Sequence, residues 1–305
     1  MTDPIARRTL LALAAASSLV AVTSPALADW RDRYKELNFG ISSSENQRDA
    51  VVRYEPFAAY LSNKLGVPVR ILWGTDYAAV IEALRSGKIQ FAFIGAANYA
   101  LGHKVMGSMI VPVGIDQSQD GSTGYYSVIV VRKDSPYHSL EDLKGKVLAW
   151  VDPNSTSGYA VPNYFMNKQG INPATFFSKT PFSGSHELGV IGLINGTFDA
   201  AADYWMSDNS SNVVQMEKKG MISKDKTRVI WRSSEIPNGP YAMRADLPDD
   251  LKQAFGRALF SAAQDDPKAY EGLGYNQKQI VPVTPDRYDD IIAITEANHR
   301  ARRGQ

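Results

Sequence analysis

The residues best placed to do chemistry form one short run, Asp152-Pro153-Asn154-Ser155-Thr156-Ser157-Gly158-Tyr159. The run lies between an apolar stretch, Lys146 to Val151, and a helical pattern over Thr156 to Gln169. Three consecutive hydroxyl residues each offer a donor. The first backbone N–H groups of a helix have no internal partner and carry partial positive charge. Hydroxyls and helix start together suit a tetrahedral anion and need no Arg or Lys. Gly158 lets the backbone come close, and Pro162 falls in the first two turns, where a missing N–H costs least. Ser, Thr, Asp and Asn are also the ordinary caps of helices. A single hydroxyl here would be read as a cap; three in succession behind a strand leave capping and anion binding both open.

Other candidates are dispersed. His186 follows Gly184-Ser185 at the start of a helical pattern, where it either donates to the same anion or simply begins the helix. His186-Glu187 starts like a zinc-protease motif, but position 190 is Val, so the second histidine is missing. His103, His138 and His299 are far apart in sequence, and no metal cluster is expected. Tyr77, after Asp76, and Tyr125, after Gly124, stand at the ends of strand-like segments. Their phenols are either neutral donors to an anion or core aromatics. Asp203, Tyr204 and Trp205 follow a strand pattern over Thr197 to Ala202; the two aromatics form a wall for an organic substituent or belong to the core. The sequence has no glycine-rich nucleotide loop, no Gly-x-Ser-x-Gly elbow and no paired-carboxylate motif. It has no cysteine, which removes thiol nucleophiles, thiolate metal sites and disulfides. Neither an enzyme nor a cofactor is expected.

The elements that must position these residues alternate. Leu37 to Ile41 is strand-like; Tyr54 to Leu65 has helical spacing and stops at Gly66; Val67 to Trp73 is strand-like; Tyr77 to Leu84 is helical; Ile89 to Ile94 is strand-like. A second series runs through Tyr125 to Val131, a short helix capped by Ser139, Lys146 to Val151, Thr156 to Gln169, His186 to Ile194, Thr197 to Ala202 and Val229 to Trp231. Two helices follow, Pro248 to Gln264 and Pro285 to about Arg300. The order predicts α/β architecture in two lobes. Residues 29–124 and 233–305 would form the first lobe and residues 125–232 the second, joined by crossover strands. Ligands of open α/β sheets lie beyond the carboxyl ends of the strands, here between the lobes.

The beginning of the chain has a different use. Arg7 and Arg8, an apolar stretch from Leu10 to Val22, and Ala26-Leu27-Ala28 make the three-part pattern of a secretory signal peptide, residues 1–28. The apolar stretch is too short for a membrane span. Removing Arg7, Arg8 and Asp3 from 33 basic and 32 acidic residues leaves 31 of each in the chain from Asp29. That balance argues against a nucleic-acid partner.

Several blocks carry a resemblance. They are Leu37-Asn38-Phe39-Gly40-Ile41, Asp76-Tyr77-Ala78, Gly124-Tyr125-Tyr126-Ser127-Val128, Lys133-Asp134-Ser135-Pro136, Asp152 to Pro162, Gly184-Ser185-His186-Glu187, Val229-Ile230-Trp231-Arg232-Ser233 and Ile236-Pro237. In this order they resemble the phosphate/phosphite/phosphonate-binding proteins of ABC importers, most closely the phosphonate-binding branch. The resemblance implies a type II two-lobed periplasmic binding fold and a phosphonate ligand in the cleft. It assigns Ser155, Thr156, Ser157 and His186 to the oxyanion from the second lobe, Tyr77 from the first and Tyr125 from the crossover. It also implies a periplasmic location, a membrane permease with its cytoplasmic ATPase as partner, and a monomer or weak dimer. The organic end departs from the pattern. Relatives tuned to aminoethylphosphonate place two carboxylates around the amine; here Met206 stands at one position, with Asp203 and Asp208 nearby, and Asn238-Gly239 at the other. Ile94 replaces a frequent aromatic residue. A larger or uncharged substituent against Tyr204 and Trp205 is therefore expected. Another oxyanion (phosphite, phosphate or an alkylsulfonate), or presentation to a sensor kinase, would keep the same site.

Overall fold

In the computed structural model, residues 29–42, 44–274 and 276–303 are described; the expected signal peptide lies outside them. The strands are β1 (Leu37–Ile41), β2 (Val69–Trp73), β3 (Phe91–Phe93), β4 (Ile110–Ser118), β5 (Gly124–Arg132), β6 (Leu148–Ala149), β7 (Ala200–Ser207), β8 (Ser210–Ser211), β9 (Thr227–Arg232), β10 (Ile236–Pro237), β11 (Pro240–Arg244) and β12 (Gln277–Pro282). They build two six-stranded sheets. The first has the order β12-β4-β11-β3-β1-β2, with β1 parallel to β2 and β3, and β11 and β12 antiparallel to their neighbours. In the second, β5 is central: β7 pairs along one edge, and β10 and β9 pair successively along the other. The fold is the two-lobed α/β periplasmic-binding architecture.

Local chemistry sets the helices that matter for the cleft. Asn46 caps helix Gln47–Leu65 by accepting from Asp49 N–H, and Gly66 ends it in the left-handed conformation at φ 73°. Its apolar face covers the first sheet, where Phe39, Phe57, Phe91, Tyr241 and Phe255 make an aromatic core. Asp76 caps helix Tyr77–Arg85, and Ser185 caps helix His186–Ile194, each by accepting a backbone N–H. The C-terminal helix, Asp289–Arg302, packs on Ala96–Met106 of the first lobe and Val161–Lys168 of the second.

Several elements differ from the sequence reading. The strand expected at Thr197 to Ala202 is displaced to Ala200–Ser207, so Asp203, Tyr204 and Trp205 lie within it. Helix Gln47–Leu65 begins about two turns before the expected Tyr54, and Pro56 lies inside it. The turn after Ser139 is a single 3₁₀ turn, Glu141–Leu143, and the Asp142 carboxylate, not the Ser139 hydroxyl, accepts the free N–H groups of His138 and Ser139. Helix Ala96–Met106 and strands β4, β11 and β12 were not expected.

The chain leaves the first sheet after Ser118, enters the second at Gly124, and returns between Pro237 and Pro240. The two passages are bonded to each other, Asn238 N–H donating to Thr123 O at 2.9 Å. Gly239 is confined there: a Cβ atom would stand 2.1 Å from the Ile94 carbonyl oxygen. Backbone on both sides leaves no side chain to yield. Gly239→Ala is expected to destabilise the protein by about 1–3 kcal/mol through overpacking, measured by denaturant unfolding of the chain from Asp29; an unchanged midpoint would show that the passage can widen freely.

Candidate functional site

Between the lobes lies a cavity of about 100 Å³. Tyr77, Tyr125, Ser155, Thr156, Ser157, His186 and Tyr204 all line it. Residues 77 and 186 are separated by over a hundred positions, and the fold brings them to one space.

The hydroxyl run forms a wide turn. Val151 N–H donates to Gly158 O at 3.0 Å, and Ala160 N–H donates to Ser155 O at 2.9 Å, the five-residue spacing of a π turn, which continues as helix Val161–Lys168. Ser155 Oγ accepts from Gly158 N–H at 3.1 Å, so it is a cap as well as a cavity residue. Gly158 has to be small: a Cβ would sit 2.4 Å from Val151 and 2.7 Å from Ser155 Oγ. Thr156 Oγ1 accepts at 2.8 Å from Ala97 N–H, the first turn of a helix in the other lobe. Each hydroxyl that accepts still has its own proton to donate.

His186 is 4% exposed. Its Nδ1 is 2.9 Å from Asp203 Oδ1, which also accepts from Tyr204 N–H, while Asp203 Oδ2 accepts from Asn212 Nδ2 at 3.0 Å. With Nδ1 engaged, Nε2 is left for a ligand, so Asp203 orients the ring from behind. Asp203 and Trp205 therefore need correcting: neither lines the cavity. Alternation along β7 turns Tyr204 and Met206 toward the cavity and sends Asp203 and Trp205 to the opposite face. There Trp205 meets Tyr126 and the Arg232 guanidinium. Asp208 is also absent from the lining.

The cavity also has residues that the sequence did not single out. Asp116, on β4, is 4% exposed and lines it. Its carboxylate accepts from Tyr270 at 3.0 Å and from Tyr241 at 3.4 Å; burial nevertheless pushes its pKa from 3.8 up to about 7. Glu45 and Arg53, paired with each other, lie at the mouth. Lys219, from the second lobe, reaches Glu45 at 2.6 Å and Asp49 at 3.2 Å in the first lobe and Glu187 at 2.7 Å in its own. Glu187 Oε2 accepts from Asn46 N–H at 2.9 Å, and His186 N–H donates to Ser44 O at 3.2 Å. Burial works against the charge of Lys219, but Glu187 and Glu45 outweigh it and hold its pKa above the usual value. These contacts bridge the lobes beside the cavity. No motif marks them, because their partners are up to 174 positions apart.

Comparisons with known proteins agree with this geometry. A family profile described as "ABC transporter, phosphonate, periplasmic substrate-binding protein" matches residues 39–288. The chain belongs to this family. The phosphonates-binding periplasmic protein of Escherichia coli K12 is 33% identical over 246 residues, covering 79% of this chain and 70% of the relative. A phosphate-import protein of Mycolicibacterium smegmatis is 27% identical over 270 residues, covering 84% and 80%. The crystal structure of a binding-protein component of an ABC phosphonate transporter from Pseudomonas aeruginosa superposes with a TM-score of 0.76 at 27% identity, covering 87% of each chain. The protein is thus a periplasmic binding component of an ABC importer, whose family takes small oxyanions in the cleft between lobes and works with a permease and its ATPase. Among the described residues no group of three or more His, Asp or Glu is arranged to hold a metal.

Two outcomes follow from these charges. The folded state holds Asp116 protonated further up the pH scale than the unfolded chain does, so its contribution to stability is present at acid pH and is lost between about pH 4 and pH 7. Asp116→Asn is expected to flatten that part of the stability–pH curve, worth up to about 4 kcal/mol, in urea titrations from pH 4 to pH 8; an unchanged curve would place the carboxylate's titration elsewhere. Lys219→Met leaves Glu187 and Glu45 without their shared cation across the closed mouth. Anion binding is expected to weaken at least tenfold, chiefly through faster release, in stopped-flow dissociation; equal release rates would mean that these pairs do not hold the closed state.

Proposed function

We propose that the protein captures an organophosphonate and delivers it to its permease. The observation that carries this reading is the mixed lining of the cavity. It combines hydroxyl donors, Ser155, Thr156, Ser157 and Tyr77, with His186. Beside them it has carbon surface from Ile41, Tyr54, Phe93, Ile94 and Met206. An inorganic oxyanion needs donors on all sides, whereas a phosphonate has one P–C bond to place against apolar groups. The hydroxyls come chiefly from the second lobe and Tyr77 from the first, so a bound oxyanion favours the closed state that makes both sets of contacts. Hydrogen bonds to its charged oxygens strengthen as water is excluded. The P. aeruginosa and E. coli relatives support the ligand class by name, and the M. smegmatis relative supports phosphate.

Titration calorimetry of the chain from Asp29 separates these. Methylphosphonate, 2-aminoethylphosphonate, phosphonoacetate, phosphite, phosphate and sulfate would be compared. A phosphonate is expected to bind far more tightly than phosphate; a preference for phosphate or sulfate would overturn the reading. Ser155→Ala combined with Thr156→Ala is expected to weaken phosphonate binding by a few kcal/mol, taking about 1.5–3 kcal/mol for each hydrogen bond to a charged group. Undiminished affinity in that variant would remove the hydroxyl run from the site.

A further inference from the structure

A second hollow, of about 70 Å³, lies behind the hydroxyl turn. Helix Ala96–Met106 of the first lobe, the C-terminal helix Asp289–Arg302 and residues from Pro153 to Ala160 of the second lobe wall it. The turn separates it from the cleft. Ser155, Thr156 and Ser157 line the cavity between the lobes, whereas Pro153, Asn154, Tyr159 and Ala160 line the hollow. Four basic side chains also line the hollow: His103 and Lys104 from one helix, His299 and Arg302 from the other. Among the described residues none of the four has an ion-pair partner. Glu296 is the one acid on the lining, and it lies 3.7 Å from Arg300, which offsets its charge.

Basic residues in the last turn of a helix complement its dipole, and both helices end in this way. That accounts for each pair by itself. It does not account for their meeting, because like charges gathered at one hollow repel each other. The repulsion acts on His299: burial first, then Lys104, Arg302 and Arg303, hold its pKa below the usual value. Arg302 is seated against the second lobe, its guanidinium carbon 4.7 Å from the centre of the Tyr159 ring. Asn154 adds an amide that can donate without adding charge. Cations and a neutral donor around one concave space suit an anion of multiple charge.

We propose that this hollow is a second anion site, separate from the cleft, for a small anion with two or more negative charges on phosphate or carboxylate oxygens. Lys104 and Arg302 supply fixed charge, the two imidazoles take up protons beside the anion, and Asn154 donates from the second lobe. The walls come from both lobes, so an occupant bridges them behind the turn. The site stands whichever oxyanion the cleft takes, since the two linings have no residue in common.

The chain has only four histidines, which makes the test specific. Their ring-proton NMR signals, in the chain from Asp29, are assigned with His103→Gln, His186→Gln and His299→Gln. They are then followed while pyrophosphate or citrate is added at constant ionic strength. His186 reports the cleft; His103 and His299 report the hollow. At least one probe is expected to shift the His103 and His299 signals saturably and to raise the His299 pKa. Lys104→Gln combined with Arg302→Gln, both exposed side chains, is expected to weaken that response about tenfold. The His186 signal is expected to behave identically in that variant. A response to pyrophosphate alone assigns the site to phosphate-type anions, and a response to citrate alone to carboxylates. Shifts confined to His186, or shifts that never saturate, would overturn the proposal in the unaltered protein. Equal affinity in the double variant would overturn it too, by placing the anion elsewhere.

Discussion

Inside the cleft the hydroxyl turn is anchored to the first lobe by one hydrogen bond, from Ala97 N–H to the Thr156 hydroxyl. It joins the start of a helix in the first lobe to the hydroxyl turn of the second, and both ends are buried. A helix N-terminus has N–H groups that must find acceptors. Here one is satisfied by a side chain that is itself a candidate ligand donor. Gly95 makes the approach possible, since a Cβ at that position would lie 3.1 Å from the same hydroxyl oxygen. The C-terminal helix is tied to the other end of the same turn. Asn298 contributes directly, donating to Ala160 O and accepting from Asn163 Nδ2.

Negative charge is managed by distance and pairing. The proposed oxyanion site offers neutral hydroxyls and one imidazole, so an anion bound there would meet no strongly hydrated ammonium that has to be stripped of water. The lysine and arginine near the cavity are committed to carboxylates at its mouth. Of these, the Lys219–Glu45 pair spans the lobes and is partly accessible to solvent, so it ties the two lips without entering the hydroxyl turn.

Much of this could be read in the sequence, for physical reasons that also explain the misses. The run Ser155-Thr156-Ser157 stood out because polar residues seldom follow a buried strand without a task. Helix His186–Ile194 had a cap and continuous apolar content, and its bounds matched the expectation. Helix Ala96–Met106 was hidden because it is apolar nearly all round and shows no amphipathic stripe. Strands β4, β11 and β12 were hidden because antiparallel partners far along the chain define them. The displaced start of β7 moved Trp205 from the expected wall to the opposite face. Asp116 and Lys219 could not have been found by local pattern at all: an aspartate in a strand and a lysine after a helix are unremarkable until the tertiary contacts show which charges are matched.

The mouth of the cleft has a practical consequence. Lys219 and Glu45 mark opposing lips of the two lobes, and the two passages behind them are tied together by the Asn238–Thr123 bond and the short pairing of β10 with β5. The sequence contains no native thiol. A cysteine placed on each lip would therefore be the sole site for a spectroscopic label on its side. The separation of the two labels would report opening directly, making the protein a distance gauge for its own ligand.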